Sequence, residues 1–262
     1  MGSAALHIAR TGIDAQDTRM RVISNNLANV NTTGFKKDRA AFETLAYQVV
    51  TAPGAASTAE TKYATGLNLG TGVRVQGTAR IDTQGSLQTT NNALDMALDG
   101  DGYFQVQLPG GQLGYTRAGN FSRSAEGLMV TSEGYQVMPG ITVPEGTTQI
   151  TIGADGTVSA TVPGQTEATQ LGQVQVATFP NAAGLQNTGD NYLIETGASG
   201  AANLGIAGQD GRGQIRQGML EGSNVNVVEE LVDMIETQRA YEVNSKMISA
   251  TDEMLKYVNN NL

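Results

Sequence analysis

Apolar residues recur at every seventh position near both ends of the chain and at every second position between them. Counting from Val227 gives Val227, Met234, Tyr241, Ile248, Leu255 and Leu262, apolar at each step. Val228 and Ile235, then Ala240, Met247 and Met254, run beside this row, and Leu231, Val243 and Val258 widen the stripe. A stripe sustained at a heptad period predicts one long C-terminal helix laid along other helices. Asn226 is the expected N-cap, and Glu229 three residues on fits a capping box. Glu229, Glu230 and Asp233 then fall near the positive end of the helix dipole.

The N-terminal stretch mirrors this pattern. Leu6, Ile13, Met20 and Leu27 are spaced by seven, with Ala9, Ile23 and Val30 as a companion row and Gln16 as its polar exception. The spacing predicts a helix of about 25 residues, ending near Asn29–Asn31, with Gly34 supplying a left-handed exit. An amphipathic continuation from Phe35 to Val50 carries Phe42, Leu45, Ala46 and Val49. Residues 51–70 change texture. They are small and polar, broken by Pro53, Gly54 and Gly66, with Tyr63 among them. Such a stretch reads as an extended or mobile loop, or as a plain linker.

From 71 to about 213 the period drops to two. Val73–Gln76, Phe104–Gln107, Ile150–Ile152, Thr157–Val162 and Leu171–Phe179 alternate, with turn pairs at Asp101-Gly102, Gly110-Gly111, Glu126-Gly127, Glu133-Gly134 and Asp155-Gly156. Ile152 to Val158 around Asp155-Gly156 predicts a hairpin. Phe104, Tyr115, Phe121, Tyr135, Phe179 and Tyr192 are the expected large buried groups. The fold class is therefore α+β: paired, coiled-coil-like terminal helices bracket a mostly antiparallel β domain. Three zones follow: 1–34 with 224–262 as a helical assembly domain, 35–70 with 198–223 as a connecting region, and 71–197 as the β domain.

Charge sharpens the pairing of the ends. Residues 1–40 carry six Lys/Arg against three Asp/Glu, and residues 221–262 carry three against eight. The two ends attract. The net charge of −9 argues against a nucleic-acid surface, and the nearest basic run is only Lys36-Lys37-Asp38-Arg39. No stretch of 18 apolar residues marks a membrane span, and the first residues, Met1 to Arg10, do not read as a secretory signal.

Candidate chemistry is thin. With no Cys and one His, His7, the chain lacks the parts of a Ser/His/Asp or Cys/His site and of a Cys-ligated metal centre. His7 reads as a surface or packing residue. Asp95, Asp99 and Asp101 could form a calcium loop, but they lack the spacing and distal Glu of an EF-hand, and Asp-Gly turns account for them more simply. Gly70/Gly72, Gly100/Gly102 and Gly211/Gly213 are glycine pairs without the third glycine or the strand-to-helix setting of a dinucleotide site. A paired-carboxylate hydrolase or a carbohydrate-binding β domain stays open as an alternative. Interaction surface is the leading reading, with no small-molecule substrate, cofactor or metal. The apolar row positions Leu6, Ile13, Met20, Ile23, Leu27, Val227, Leu231, Met234, Tyr241, Ile248 and Leu255 are its candidates. Unpaired, such terminal helices are marginal, so they are expected to order on association.

Three blocks carry a resemblance. Thr11-Gly-Ile-Asp-Ala-Gln16 with Ile23-Ser-Asn-Asn-Leu-Ala-Asn-Val-Asn-Thr-Thr-Gly-Phe-Lys36 is similar to the N-terminal signature of the bacterial flagellar axial proteins, the rod and hook family. Asn91 to Val106 followed by Tyr115 to Phe121 resembles that family's β-domain signature. Ser223 to Asn226, Glu236 to Asn244 and Asp252 to Leu255 resemble its C-terminal motif. The chain length and the 51–70 loop resemble the rod branch, toward the distal end of the shaft, more than the hook; the alternatives within the family are a proximal rod or hook-type paralogue. The resemblance implies a non-enzymatic subunit that forms a helical homopolymer, a rigid hollow shaft carrying torque and passing exported subunits. It implies proximal rod proteins, the hook protein, the bushing rings and the flagellar type III export apparatus as partners. It also implies a location in the basal body from periplasm to outer membrane, reached without a cleaved signal. Pro53, Gly54, Tyr63 and Gly66 would belong to a rod-stiffening loop. Gln238, Asn244, Ser245 and Asp252 would be candidates for a water-filled channel face.

Overall fold

A computed structural model describes every residue except Met1, Ala55, 57–61, 163–167 and 261–262, with side chains left aside also at Gly2, Ser3 and 258–260. Leu262, the last step of the heptad row, and the Val258 side chain lie outside the described residues.

Both terminal helices form: α1 spans Gly2–Ala28 and α2 spans Val227–Asn260. The N-cap of α2 is Asn226, whose Oδ1 accepts the Val228 N–H at 3.1 Å while its carbonyl accepts the Glu230 N–H at 3.0 Å. After α1 the chain turns through Thr32 N–H to Asn29 O and Phe35 N–H to Thr32 O. Gly34 then exits at φ 68°, and a Cβ there would stand 2.6 Å from the Arg117–Ala118 backbone, so both conformation and space require glycine.

The expected amphipathic continuation from Phe35 does not form. Asp38–Thr44 is a strand (β1) and Gln48–Thr51 a second (β2). Local periodicity loses here to long-range pairing. Asn26 on α1 binds the Asp38 backbone at both N–H (3.0 Å) and C=O (2.9 Å), and β1 pairs with β4 (Val73–Arg80). Nor are residues 51–70 a plain linker. β2 pairs antiparallel with β3 (Leu67–Leu69), with Gln48 opposite Leu69 and Thr51 opposite Leu67. The ribbon continues through Gly54 N–H to Tyr63 O at 2.9 Å and a bridge between Ala56 and Lys62.

The chain divides into two compact units. One comprises Met1–Leu27, Asp38–Ala79 and Asn226–Leu262; the other comprises Ala28–Lys37 and Arg80–Val225. The second unit is built on β-strands, with short 3-10 turns at Pro109–Gly111 and Ala182–Gly184. The strands that enter it are zipped to those that leave: β5 (Leu87–Thr89) pairs with Met219–Glu221, and β6 (Met96–Asp99) with Gln214–Gln217. The nested organisation expected from the sequence is thus built into its hydrogen bonds. Its largest sheet centres on β7 (Tyr103–Gln107), flanked on one side by β8 (Leu113–Thr116). On the other side lie Gln175–Thr178 and Gln136–Val137. Gln149–Ile152, Thr157–Thr161 and Thr169–Gln173 form a three-stranded sheet whose first turn is the expected Asp155-Gly156 hairpin, with Ile152 opposite Val158 and Gly156 at φ 86°. Every pairing with a described register is antiparallel.

Alternation places Met96, Leu98, Phe104, Val106, Val158, Val176 and Ile215 in one buried cluster, and Tyr103, Tyr115, Ala177 and Leu193 in a second. Of the expected aromatics, Phe104, Tyr115, Phe121 and Tyr192 are buried, while Tyr135 and Phe179 pack half-buried against the clusters. Phe104 meets Phe121 edge-on at 5.2 Å and Tyr115 meets Phe179 at 4.8 Å. The tightest backbone approach is at Gly119, where a Cβ would stand 1.6 Å from the Met96 carbonyl oxygen. That residue also accepts the Met96 N–H at 3.0 Å. Gly119→Ala must part the two backbones and break this bond. It is expected to cost at least about 2 kcal/mol in a thermal or urea melt; an unchanged melt would refute the close approach.

Candidate assembly surface

The side-chain contacts described between α1 and α2 are polar or small. Arg19 Nη2 meets Asp233 Oδ1 at 3.1 Å, and Asn26 Nδ2 donates to Glu230 Oε2 at 3.1 Å. A Cβ on Gly12 would stand 3.0 Å from Asn244 Nδ2. Positions rising along α1 therefore meet positions falling along α2, so the helices run antiparallel. Asn26, Glu230 and Thr237 are all buried in this seam. Arg19–Asp233 realises the attraction between the oppositely charged ends, although a pair this exposed adds little stability.

The apolar residues of α2 lie mostly elsewhere. Val228, Leu231, Val232 and Ile235 stand at i, i+3, i+4 and i+7, one continuous stripe at about 100° per residue. All four are exposed, from 43% at Leu231 to 69% at Val228. Taken with Glu230, Asp233 and Thr237, the same spacing puts the stripe on the far side of the helix from the seam. Val243, Met247, Met254 and Tyr257 extend the exposed apolar surface toward the C-terminus.

The residues expected from the heptad row therefore separate. Val227, Leu231, Tyr241 and Leu255 are exposed, whereas Met234 and Ile248 are half-buried toward the seam side. On α1, Ile23 is buried, and Leu6, Ile13, Met20 and Leu27 are half-buried along its flank. Val232 belongs to the outward stripe and was missed, because a strict count of seven from Val227 steps over it. The i, i+3, i+4, i+7 pattern would have found it. Of the polar candidates, Asn244 faces Gly12, while Gln238, Ser245 and Asp252 are exposed. His7 is exposed on α1.

A second apolar surface is the β2–β3 ribbon. Tyr47, Val49, Val50, Tyr63, Leu67 and Leu69 are all exposed on it. The four loop candidates come together at its far part. Gly54 donates to the Tyr63 carbonyl, and Gly66 lies so close to Thr51 and Pro53 that a Cβ would meet the Thr51 carbonyl oxygen at 2.5 Å and Pro53 Cδ at 2.6 Å.

The other unit holds a buried charge cluster that sequence reading missed. Glu221 is fully buried. Its Oε1 accepts Lys36 Nζ at 2.5 Å and the Gly85 N–H at 2.9 Å, and its Oε2 accepts Arg117 Nη1 at 3.2 Å. Lys36 Nζ also donates to Thr83 O, and Arg117 Nη2 to Gly100 O, both at 2.8 Å. The Arg117 guanidinium lies 5.5 Å from the Tyr103 ring centroid. Burial pushes the Lys36 amine below the ordinary lysine value, opposed by Glu221. The cluster fastens the chain after α1 to β5, β8 and the strand that leads to α2. As a group it is structural: every charge faces another charge or a carbonyl. Asp95, Asp99 and Asp101 do not converge as a donor set; among the described residues no group of three such side chains is placed to hold a metal. Asp95 accepts from Thr90 and Asn92, and Asp99 pairs with Arg216 at 3.0 Å.

Three family models match the chain: "Flagella basal body rod protein" over residues 6–36, "Flagellar hook protein FlgE/F/G D1 domain" over 97–160, and "Flagellar basal body rod FlgEFG protein C-terminal" over 216–261. The chain is 50% identical over 252 residues to the flagellar basal-body rod protein FlgG of Buchnera aphidicola subsp. Acyrthosiphon pisum, covering 96% of this chain and 97% of that one. It is 46% identical to the protein of the same name from Caulobacter vibrioides, covering 96% and 97% of the two chains. Against that from Agrobacterium fabrum the identity is 45%, over 98% and 99%.

Proposed function

The chain belongs to the FlgG family of flagellar basal-body rod proteins, and on that premise we propose how it builds the shaft of which it is a structural subunit. It acts as a subunit of the distal rod, polymerising helically into a rigid hollow drive shaft that transmits torque and passes exported subunits. The observation that carries this reading is the outward apolar stripe of α2, Val228, Leu231, Val232 and Ile235, set on the opposite side of the helix from Glu230, Asp233 and Asn244, which meet α1. A helix so built leaves its hydrophobic surface for neighbours, and a contact between different faces of successive copies propagates as a helix rather than closing. The exposed heptad residues Val227, Leu231, Tyr241 and Leu255 act with the stripe in these contacts, and zones 1–34 and 224–262 form the assembly domain.

The chain performs no catalysis. Its partners are further copies of itself, the proximal rod proteins, the hook protein, the bushing rings and the type III export apparatus, and its place is the basal body between periplasm and outer membrane. Identities of 45–50% to FlgG proteins over nearly the whole chain favour the distal rod over a proximal rod or hook-type paralogue. They also disfavour a secreted carbohydrate-binding or hydrolytic domain.

The ribbon around Pro53, Gly54, Tyr63 and Gly66 is the stiffening element. Its paired strands bring exposed aromatic and aliphatic groups to the subunit surface, where they can brace one copy against another. Deleting residues 51–66 is expected to leave a protein that still polymerises into tubes but with a shorter persistence length in electron micrographs. Tubes of unchanged stiffness would refute the stiffening role; loss of all tubes would show that the ribbon is needed for assembly itself.

A further inference from the structure

The chain has nine methionines, and the eight described are distributed very unevenly between interior and surface. Met96 and Met129 are buried in the β core, and Met20, Met138, Met219 and Met234 are half-buried. Two of the described ones are open: Met247 is 50% exposed and Met254 is 63% exposed. Both lie on α2, seven residues apart and so on one side of it, continuous with Val243 and Tyr257 in the outward apolar surface. A thioether is apolar, adaptable and well suited to packing against another chain, but it is also the side chain that peroxides convert to a polar sulfoxide.

We propose that Met247 and Met254 form a peroxide-sensitive modification site on the free subunit, and that their oxidation blocks assembly. This rests on the reading of the α2 surface as an assembly contact. In the reaction a sulfur lone pair attacks the distal oxygen of hydrogen peroxide and the O–O bond breaks. The proton on that oxygen passes to the departing hydroxide, giving water. The sulfur is oxidised by two electrons to the sulfoxide and the peroxide is reduced. Each oxidised side chain then places a strong dipole and a hydrogen-bond acceptor where an apolar partner would sit, with no donor provided. Lys246 precedes Met247 on the helix, and a Lys256–Asp252 pair at 2.7 Å flanks Met254. Both thioethers are exposed among charged side chains, so peroxide reaches them before a neighbouring copy covers the surface.

The test uses the full chain as a monomer, treated with hydrogen peroxide and then followed by peptide mass mapping and by light scattering under polymerising conditions. Met247 and Met254 are expected to gain one oxygen at least tenfold faster than Met96 and Met129, and polymer yield should fall to under a tenth. Methionine sulfoxide reductase should restore it. A double variant, Met247→Leu with Met254→Leu, should give the same polymer yield after peroxide as it gives before it. Oxidised wild type that polymerises as well as untreated protein would overturn the inference while leaving the assembly reading intact. A double variant that loses its yield after peroxide would overturn it too, by placing the sensitive methionine elsewhere. Untreated wild type that never polymerises would overturn the assembly reading itself, and this inference with it.

Discussion

A chain carrying Glu221→Ala is expected to lose about 3–5 kcal/mol of folding stability, since it leaves Lys36 and Arg117 as buried cations without their counter-charge. Both cations are buried, so water cannot take over the role of the carboxylate. Lys36 keeps the Thr83 carbonyl and the weaker attraction of Asp82, and Arg117 keeps Gly100 and the Tyr103 face, which together do not offset two buried charges. The loss is a large share of the roughly 5–15 kcal/mol that a whole domain commands. The urea midpoint, followed by the near-ultraviolet dichroism of the buried tyrosines, should fall by about 1–2 M. An unmoved midpoint would show that the cations relax to solvent and that the cluster does not hold the unit together. A second variant separates charge from shape. Replacing Lys36, Arg117 and Glu221 together by methionine removes every buried charge at similar volume and is expected to be near neutral or stabilising. The cluster would then serve to fix which segments meet, not to add stability. Its ligands come from residues 36, 85, 117 and 221, so it forms only when the chain leaving α1 and the chain approaching α2 both lie against the β unit.

That cluster marks where sequence reading stopped. Lys36 stood in a run of charges and looked like part of a surface patch. Nothing local distinguished it from Lys37, because its burial depends on Glu221, distant in sequence. The parts that were legible rest on local physics. The two helices follow from heptad spacing, the cap of α2 from Asn226, the exit of α1 from Gly34, and the hairpin at 152–158 from Asp155-Gly156. The β1 strand failed for the opposite reason. Residues 38–44 carry a pattern that fits a helical continuation as well as a strand, and the deciding partners, β4 and the Asn26 side chain, are not neighbours in sequence. The β2–β3 ribbon was hidden by its composition, since Ala, Thr and Gly carry weak strand propensity and backbone pairing supplies the order. For the candidate assembly surface, the period was readable and its direction was not. A heptad row says that a helix has an apolar side, but only the structure says that Glu230, Asp233, Thr237 and Asn244 occupy the seam.

The same direction gives the second large effect. Leu231→Asp combined with Ile235→Asp is expected to leave the monomer almost untouched, within about 0.5 kcal/mol, because neither residue is buried within the chain. In an ordinary amphipathic helix two buried-face acids would unfold the protein. Here they fall on the side away from Arg19 and Asn26, and the acidic first turns of α2 already tolerate Glu229 and Glu230. Assembly should suffer instead. About half of each side chain remains to be buried against a neighbour, which contributes about 0.7–1.5 kcal/mol each. At about 1.4 kcal/mol per tenfold, losing both raises the critical concentration for polymerisation by at least about tenfold. Acids placed at Gln238 and Ser245, exposed polar positions of the same helix, should leave that concentration within a few-fold of wild type, which separates a lost apolar contact from a general effect of charge. Pelleting across a concentration series reads all three proteins. If the Leu231/Ile235 variant pellets at the wild-type concentration, the outward stripe is not the contact between copies, and the polar seam would have to be reconsidered as the surface that neighbours exchange.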